Sequence, residues 1–131
     1  FQAAAGGGKI QSIAMSSAVS GNTTSSSYAD ITNGKITLTT SKGGLIAWYH
    51  LSGYNGTIST NMYAALQLDS DSEVAQTRFT QPISNQDQTL AAQYVWTSVS
   101  DAEHVIDMRF KTSGGTFNLR EGRLIVAEFD D

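Results

Sequence analysis

The chain has 131 residues, a formal net charge of −4, no cysteine, and only 15% charged residues. Disulfides and thiolate metal sites are therefore excluded, and eight scattered Lys and Arg residues offer no clustered basic surface for a phosphate backbone. No apolar run approaches the ~20 residues of a membrane span, so neither nucleic acid nor membrane insertion is expected. The length suits one domain with a single core. Ser and Thr supply 30 residues and proline only one, Pro82, so strands and Gly/Asn/Asp/Ser turns are expected to dominate.

Phe1 to Gly8 (FQAAAGGG) reads as a glycine-rich leader or linker, and 9–131 as the folded domain. The start lacks the basic segment and long apolar stretch of a signal peptide, and opening without Met is read as a fragment or processed product. Lys9 to Met15 is the first expected strand, anchored by Ile10 and Ile13, whose uneven spacing points to a bulge or an edge. Ser16 to Ser27 is small and polar and reads as a loop. Asn33-Gly34 between short β-prone runs predicts a two-residue hairpin. Lys42-Gly43-Gly44 predicts another turn.

Leu45 to Leu51 is apolar on both faces and reads as a central strand. Met62 to Leu68 puts Met62, Ala64, Leu66 and Leu68 on one face. Asp69 to Ser72 (DSDS) is a tight polar reversal before a strand at Glu73 to Phe79. Ser84 to Gln88 (SNQDQ) is a loop, and Leu90 to Val99 a long strand. Then Ile106, Met108 and Phe110 alternate with Asp107, Arg109 and Lys111, the period of a half-buried strand. Ser113-Gly114-Gly115 and Glu121-Gly122 are read as two further reversals, which makes the end of the chain an antiparallel meander closing on the two-sided strand Leu124 to Phe129. About eight to ten short strands without an amphipathic helix indicate an all-β sandwich or barrel.

Chemistry is harder to find. Asp69, Asp71 and Glu73 are weak metal candidates, because a Ca²⁺ loop also needs a glycine-bearing turn and a distal bidentate Glu. His50 and His104 are the two histidines, and no Gly-x-Ser-x-Gly elbow accompanies them. Gly6-Gly7-Gly8 precedes a strand, so it lacks the context of a phosphate loop. No catalytic constellation and no cofactor is expected. Trp48, Tyr49, Tyr63, Tyr94 and Trp96 lie in strands and are read as core. Ligand contact is assigned to Tyr54 and Asn55 in SGYNGT, where an exposed Tyr with amide and hydroxyl neighbours suits sugar recognition by stacking and hydrogen bonds, and also to Asn85 and Asp87 in SNQDQ.

His104 to Phe129 (HVIDMRFKTSGGTFNLREGRLIVAEF) resembles the closing strands of a phage tail-fibre tip domain, a group whose jelly roll is similar to tumour-necrosis-factor-like and complement-type globular heads. The glycine-rich joint and Lys-Ile-Gln at Gly6 to Gln11, the Ser/Thr loop, and Ser27 to Ile31 agree with it. The most specific part is Arg109 to Thr116. The resemblance implies a jelly-roll β-sandwich in a homotrimer at a fibre tip, on a virion or extracellular, that binds a host cell-surface glycan or protein without enzymatic activity. Receptor loops vary within the group, so no binding residue carries over. The alternatives are a structural virion or surface trimer cap, and a monomeric carbohydrate-binding module of a secreted protein.

Overall fold

The computed structural model describes residues 9–131, so the leader at Phe1 to Gly8 lies outside the described residues. Nine strands follow one another: β1 Ile10–Met15, β2 Asn22–Thr23, β3 Ala29–Thr39, β4 Gly43–Asn55, β5 Asn61–Leu68, β6 Val74–Thr80, β7 Gln88–Trp96, β8 Glu103–Thr112 and β9 Phe117–Asp130. They form two antiparallel sheets. One has the order β1-β9-β4-β7 with β2 also on β9, and the other β3-β8-β5-β6. Since β1 and β2 lie along the same partner, they act as two halves of one strand, and the eight resulting strands make a jelly roll.

Alternation in the sequence sets which side chains meet between the sheets. Leu45, Ala47, Tyr49 and Leu51 of β4 face Met62, Ala64 and Leu66 of β5 and Ile106, Met108 and Phe110 of β8, all buried. Each large aliphatic side chain taken out of water there contributes about 1.5–3 kcal/mol. Phe117, fully buried, packs edge-on against Phe79 at 6.1 Å and tilted against Phe110 at 5.7 Å, which ties β9 to the opposite sheet. The Tyr49 hydroxyl also crosses the core, bonding the Ala75 carbonyl (2.9 Å) and the Thr77 hydroxyl (2.7 Å). Burial pushes its pKa up to about 12.

Several expectations need correction. Asn33-Gly34 does not close a hairpin. β3 runs straight through it, and the register against β8 jumps between Asp30 and Lys35. Asn33 takes a φ of 65° there, Ile31 drops into the core, and Thr32 bridges to Ser20. The closing meander is also absent: β8 and β9 belong to different sheets, so Ser113-Gly114-Gly115 is a crossover between layers. Among the described residues, only β5 and β6 are consecutive strands paired with each other, through the DSDS reversal.

Glu121-Gly122 does not reverse the chain either. β9 is one 14-residue strand, bulged where Ser52 pairs with Glu121 and Gly53 with Leu119, which leaves Arg120 as the extra residue. A Cβ at Gly122 would lie 2.6 Å from the His50 carbonyl, so glycine serves close strand approach. Ile10 and Ile13 are not core anchors but 51% and 66% exposed. β1 is indeed a bulged edge strand, with its shift between Ile10 and Ser12. Of the five strand aromatics only Tyr49 is buried, because Trp48, Tyr63 and Trp96 are half-buried and Tyr94 is exposed. His50 is exposed as well, on the outer face of β4.

Candidate functional site

The connections 56–60, 81–87 and 113–116 gather at one end of the sandwich around Asn55. Its buried side chain and its backbone together hold them. Nδ2 donates to Thr112 Oγ1 (3.2 Å) and to the Gly114 carbonyl (2.9 Å), while Oδ1 accepts from the Thr57 amide (2.9 Å). The Asn55 amide donates to Oε1 of buried Gln81, whose Nε2 donates to the carbonyls of Ile83 and Gln86. Gly115, at a φ of 59°, passes so close that a Cβ would meet Asn55 Oδ1 at 2.4 Å. Asn55 is therefore committed to structure, with no atom left for a ligand.

The other three assigned contact residues do come together on this end. Tyr54 ends the outer face of β4, half-buried. Arg120, lifted out by the bulge in β9, stacks its guanidinium 4.4 Å from the centre of that ring. Its Nε donates to Asp87 Oδ1 at 3.1 Å, with both side chains 56% exposed. Asn85 is exposed beside them, at a φ of 62°, its amide bonded to the Asn55 carbonyl. Two isoleucines complete the end: Ile58 (57% exposed) and Ile83 (61%), in neighbouring loops joined by the Ser84 hydroxyl to the Gly56 carbonyl. The sequence does contain a signal for them, an Ile-Ser pair isolated in each of two polar loops, at Ile58-Ser59 and Ile83-Ser84. Nothing in the sequence singles out Arg120, because its position depends on the register across β4.

At the opposite end the acidic trio does not converge. Both Asp69 oxygens are engaged, one by the Val105 amide (2.9 Å) and one by His104 Nδ1 (2.7 Å), while Glu73 turns to Arg109 at 3.8 Å. Among the described residues no group of three or more His, Asp and Glu side chains is placed to hold an ion. Ser100, His104 and Asp69 do form a Ser-His-Asp set on geometry, with Ser100 Oγ 3.3 Å from His104 Nε2. However, Nε2 lies nearer the Ser100 carbonyl, at 2.9 Å, and that oxygen can only accept. Both ring nitrogens therefore donate, and no lone pair remains to take a proton from the hydroxyl. The hydrogen bond to Asp69 raises the His104 pKa, in keeping with a charged ring.

The outer face of the β3 sheet is a charged network closed on itself. Lys111 sits between the rings of Tyr28 (4.4 Å) and Tyr63 (4.8 Å). Arg109 pairs with Asp30 and donates to the Tyr28 carbonyl. Asp107 lies buried beneath them, 3.8 Å from Lys35, with Oδ1 lacking a hydrogen bond, and burial raises its pKa.

No protein-family model matches the sequence, and no curated protein matches it. Solved structures do align. The infectious bursal disease virus VP2 subviral particle superposes over 90% of this chain with a TM-score of 0.60 and 10% identity. The Gx strain of that virus gives 0.58 and 11% over the same share, and this chain spans 32% of either viral chain. The PRD1 vertex protein P5 aligns over 92% of this chain and 100% of its own, with a TM-score of 0.54 and 10% identity. The chain is a jelly-roll β-sandwich. Identities this low show that shared fold and nothing finer.

Proposed function

We propose that this chain is a non-enzymatic attachment module of a virion, carried as a homotrimer at the tip of a tail fibre, with its Asn55 end turned toward a host cell-surface glycan or protein. The observation that carries this reading is the Tyr54–Arg120–Asp87 cluster flanked by exposed Ile58 and Ile83. Tyr and Arg are the side chains enriched where binding energy concentrates, and here they are pre-stacked on β4 and β9, beside loops that Asn55 and Gln81 hold together. A ring with an apolar face, a guanidinium and a carboxylate suits the mixed stacking and hydrogen bonding that a sugar demands. The capsid and vertex proteins that share the fold support placement on a virion.

They equally support a purely structural trimer cap, and binding separates the two readings. Labelled protein should bind host cells or a glycan array, and Tyr54→Ala and Arg120→Ala should each weaken binding about tenfold or more while leaving the melting temperature nearly unchanged. Binding that survives both substitutions would move the contact elsewhere, and absence of any binding would favour the cap.

A further inference from the structure

The two sheets treat their outer faces differently. The β3 sheet covers its own with paired charges and cation–π contacts. The β1 sheet leaves its own apolar from edge to edge. The registers put Ile13, Ala127, Ile46 and Val95 in one row across β1, β9, β4 and β7. The next row is Met15, Ile125, Trp48 and Gln93. Ile13, Met15 and Val95 are 66%, 60% and 46% exposed. The edges match the face: neither IQSIAM of β1 nor QTLAAQYVW of β7 contains a charge. The edge strands of the other sheet do, with Asp30 and Lys35 in β3 and Arg78 in β6. Charged edges are a usual defence against unwanted pairing, and the β1 sheet lacks it on both sides.

We infer that the outer face of β1-β9-β4-β7 is the surface through which copies of this chain associate. This deepens the homotrimer reading above and rests on it. Size supports a second copy as the occupant. Four strands by nine residues of β4 cover roughly 20 by 30 Å, and the corrugated surface of such a footprint is on the order of the ~800 Å² that each partner gives to a stable interface. Charge supports it too. Each chain carries −4, so like chains repel unless they meet on a neutral surface. Between Phe129 and Ser52 this face carries one charge of each sign, Glu121 and Arg123, beside His50. A lipid headgroup or a strongly charged protein finds no electrostatic handle there, whereas the uncharged face and edge strands of further copies set around a three-fold axis meet it without repulsion. The polarity runs one way along the strands, from Ile13 and Ile46 through Ser52 and Thr89, whose hydroxyls bond at 3.0 Å, to the Tyr54–Arg120–Asp87 cluster. Copies packed on the face between Phe129 and Ser52 leave that cluster, which lies beyond Ser52, free.

The test is the solution mass of the intact chain at micromolar concentration, measured by sedimentation or light scattering. The wild type should be a multiple of the 14.0 kDa chain. Ile13→Glu and, on the other edge, Val95→Lys should each give a folded monomer with the β-sheet circular dichroism of the parent. Arg78→Glu, on the outer face of the opposite sheet, should leave the mass unchanged. A monomeric wild type overturns both the interface and the homotrimer. An oligomer that survives both face substitutions overturns the interface alone. Either result leaves the attachment reading to its own cell-binding measurement.

Discussion

Asn55 and Asp107 show how differently a buried polar side chain can act. The Asn55 side chain satisfies three partners, on the end of β8 and on two connections, so truncating it strands the Thr57 amide and leaves the Gly114 carbonyl with only the Thr112 hydroxyl as donor. Asn55→Ala should cost about 2–4 kcal/mol, read as a lower urea midpoint at unchanged slope. Asp107 is the reverse case. Burial raises its pKa, Lys35 is too far away at 3.8 Å for a hydrogen bond, and Oδ1 has no partner. A carboxyl whose folded pKa lies above 3.8 binds its proton more tightly in the folded state, so it lowers stability as pH rises through that range. Asp107→Asn keeps the shape without the charge. It should raise stability at pH 7 by on the order of 1 kcal/mol, and the gain should vanish below pH ~3.8, where Asp107 is protonated in both states. A gain that persists undiminished in acid would show that charge is not its origin.

Strands and their faces were legible because a period of two is local: β5 and β8 bury the residues that alternation selects. Topology was not. Asn33 and Gly115 do take the positive φ that their sequence context announces, at 65° and 59°. A positive φ fixes one residue's backbone, however, and does not say whether the strands on either side share a sheet. One became a bulge inside β3 and the other a crossover between layers. The candidate site divides in the same way. Tyr54 is visible as an aromatic beside a polar loop, while Arg120 reaches it only through a bulge set across strands. Between elements, the Asp69–His104 contact ties the β5–β6 reversal to the start of β8, and it has a pH signature. For Asp69 the cost of burial is outweighed by the His104 and Val105 hydrogen bonds, so its pKa falls below 3.8, and this stabilisation is lost as pH drops through the lowered value. His104 is raised by its Asp69 bond, so its share is complete below pH 6.5 and lost as pH climbs through the higher folded value. Together they predict greatest stability between about pH 4 and 6.5. Asp69→Asn should flatten both limbs of a plot of urea midpoint against pH, and limbs as steep as the parent's would assign the dependence to other groups.

For the whole molecule, one face decides how stability depends on concentration. β1 reaches β9 only from the far end of the chain, Ile13 opposite Ala127, and among the described residues it is an edge strand with no neighbour on its other side. Within a single copy its apolar side chains Ile10, Ile13 and Met15 stay more than half exposed and add little to folding. Association buries them, and anything that binds the folded state alone stabilises it by mass action. The melting temperature of the wild type should therefore rise with protein concentration, by on the order of 5 °C over a hundredfold range for a domain of this size. Ile13→Glu should melt at one temperature throughout, near the value the wild type approaches on dilution, because an exposed isoleucine on a lone copy contributes little. The comparison also distinguishes an interface from simple damage to the fold. A damaged core would lower the melting temperature of the variant below the dilute wild type at every concentration, whereas a lost interface makes the two curves converge as the protein is diluted.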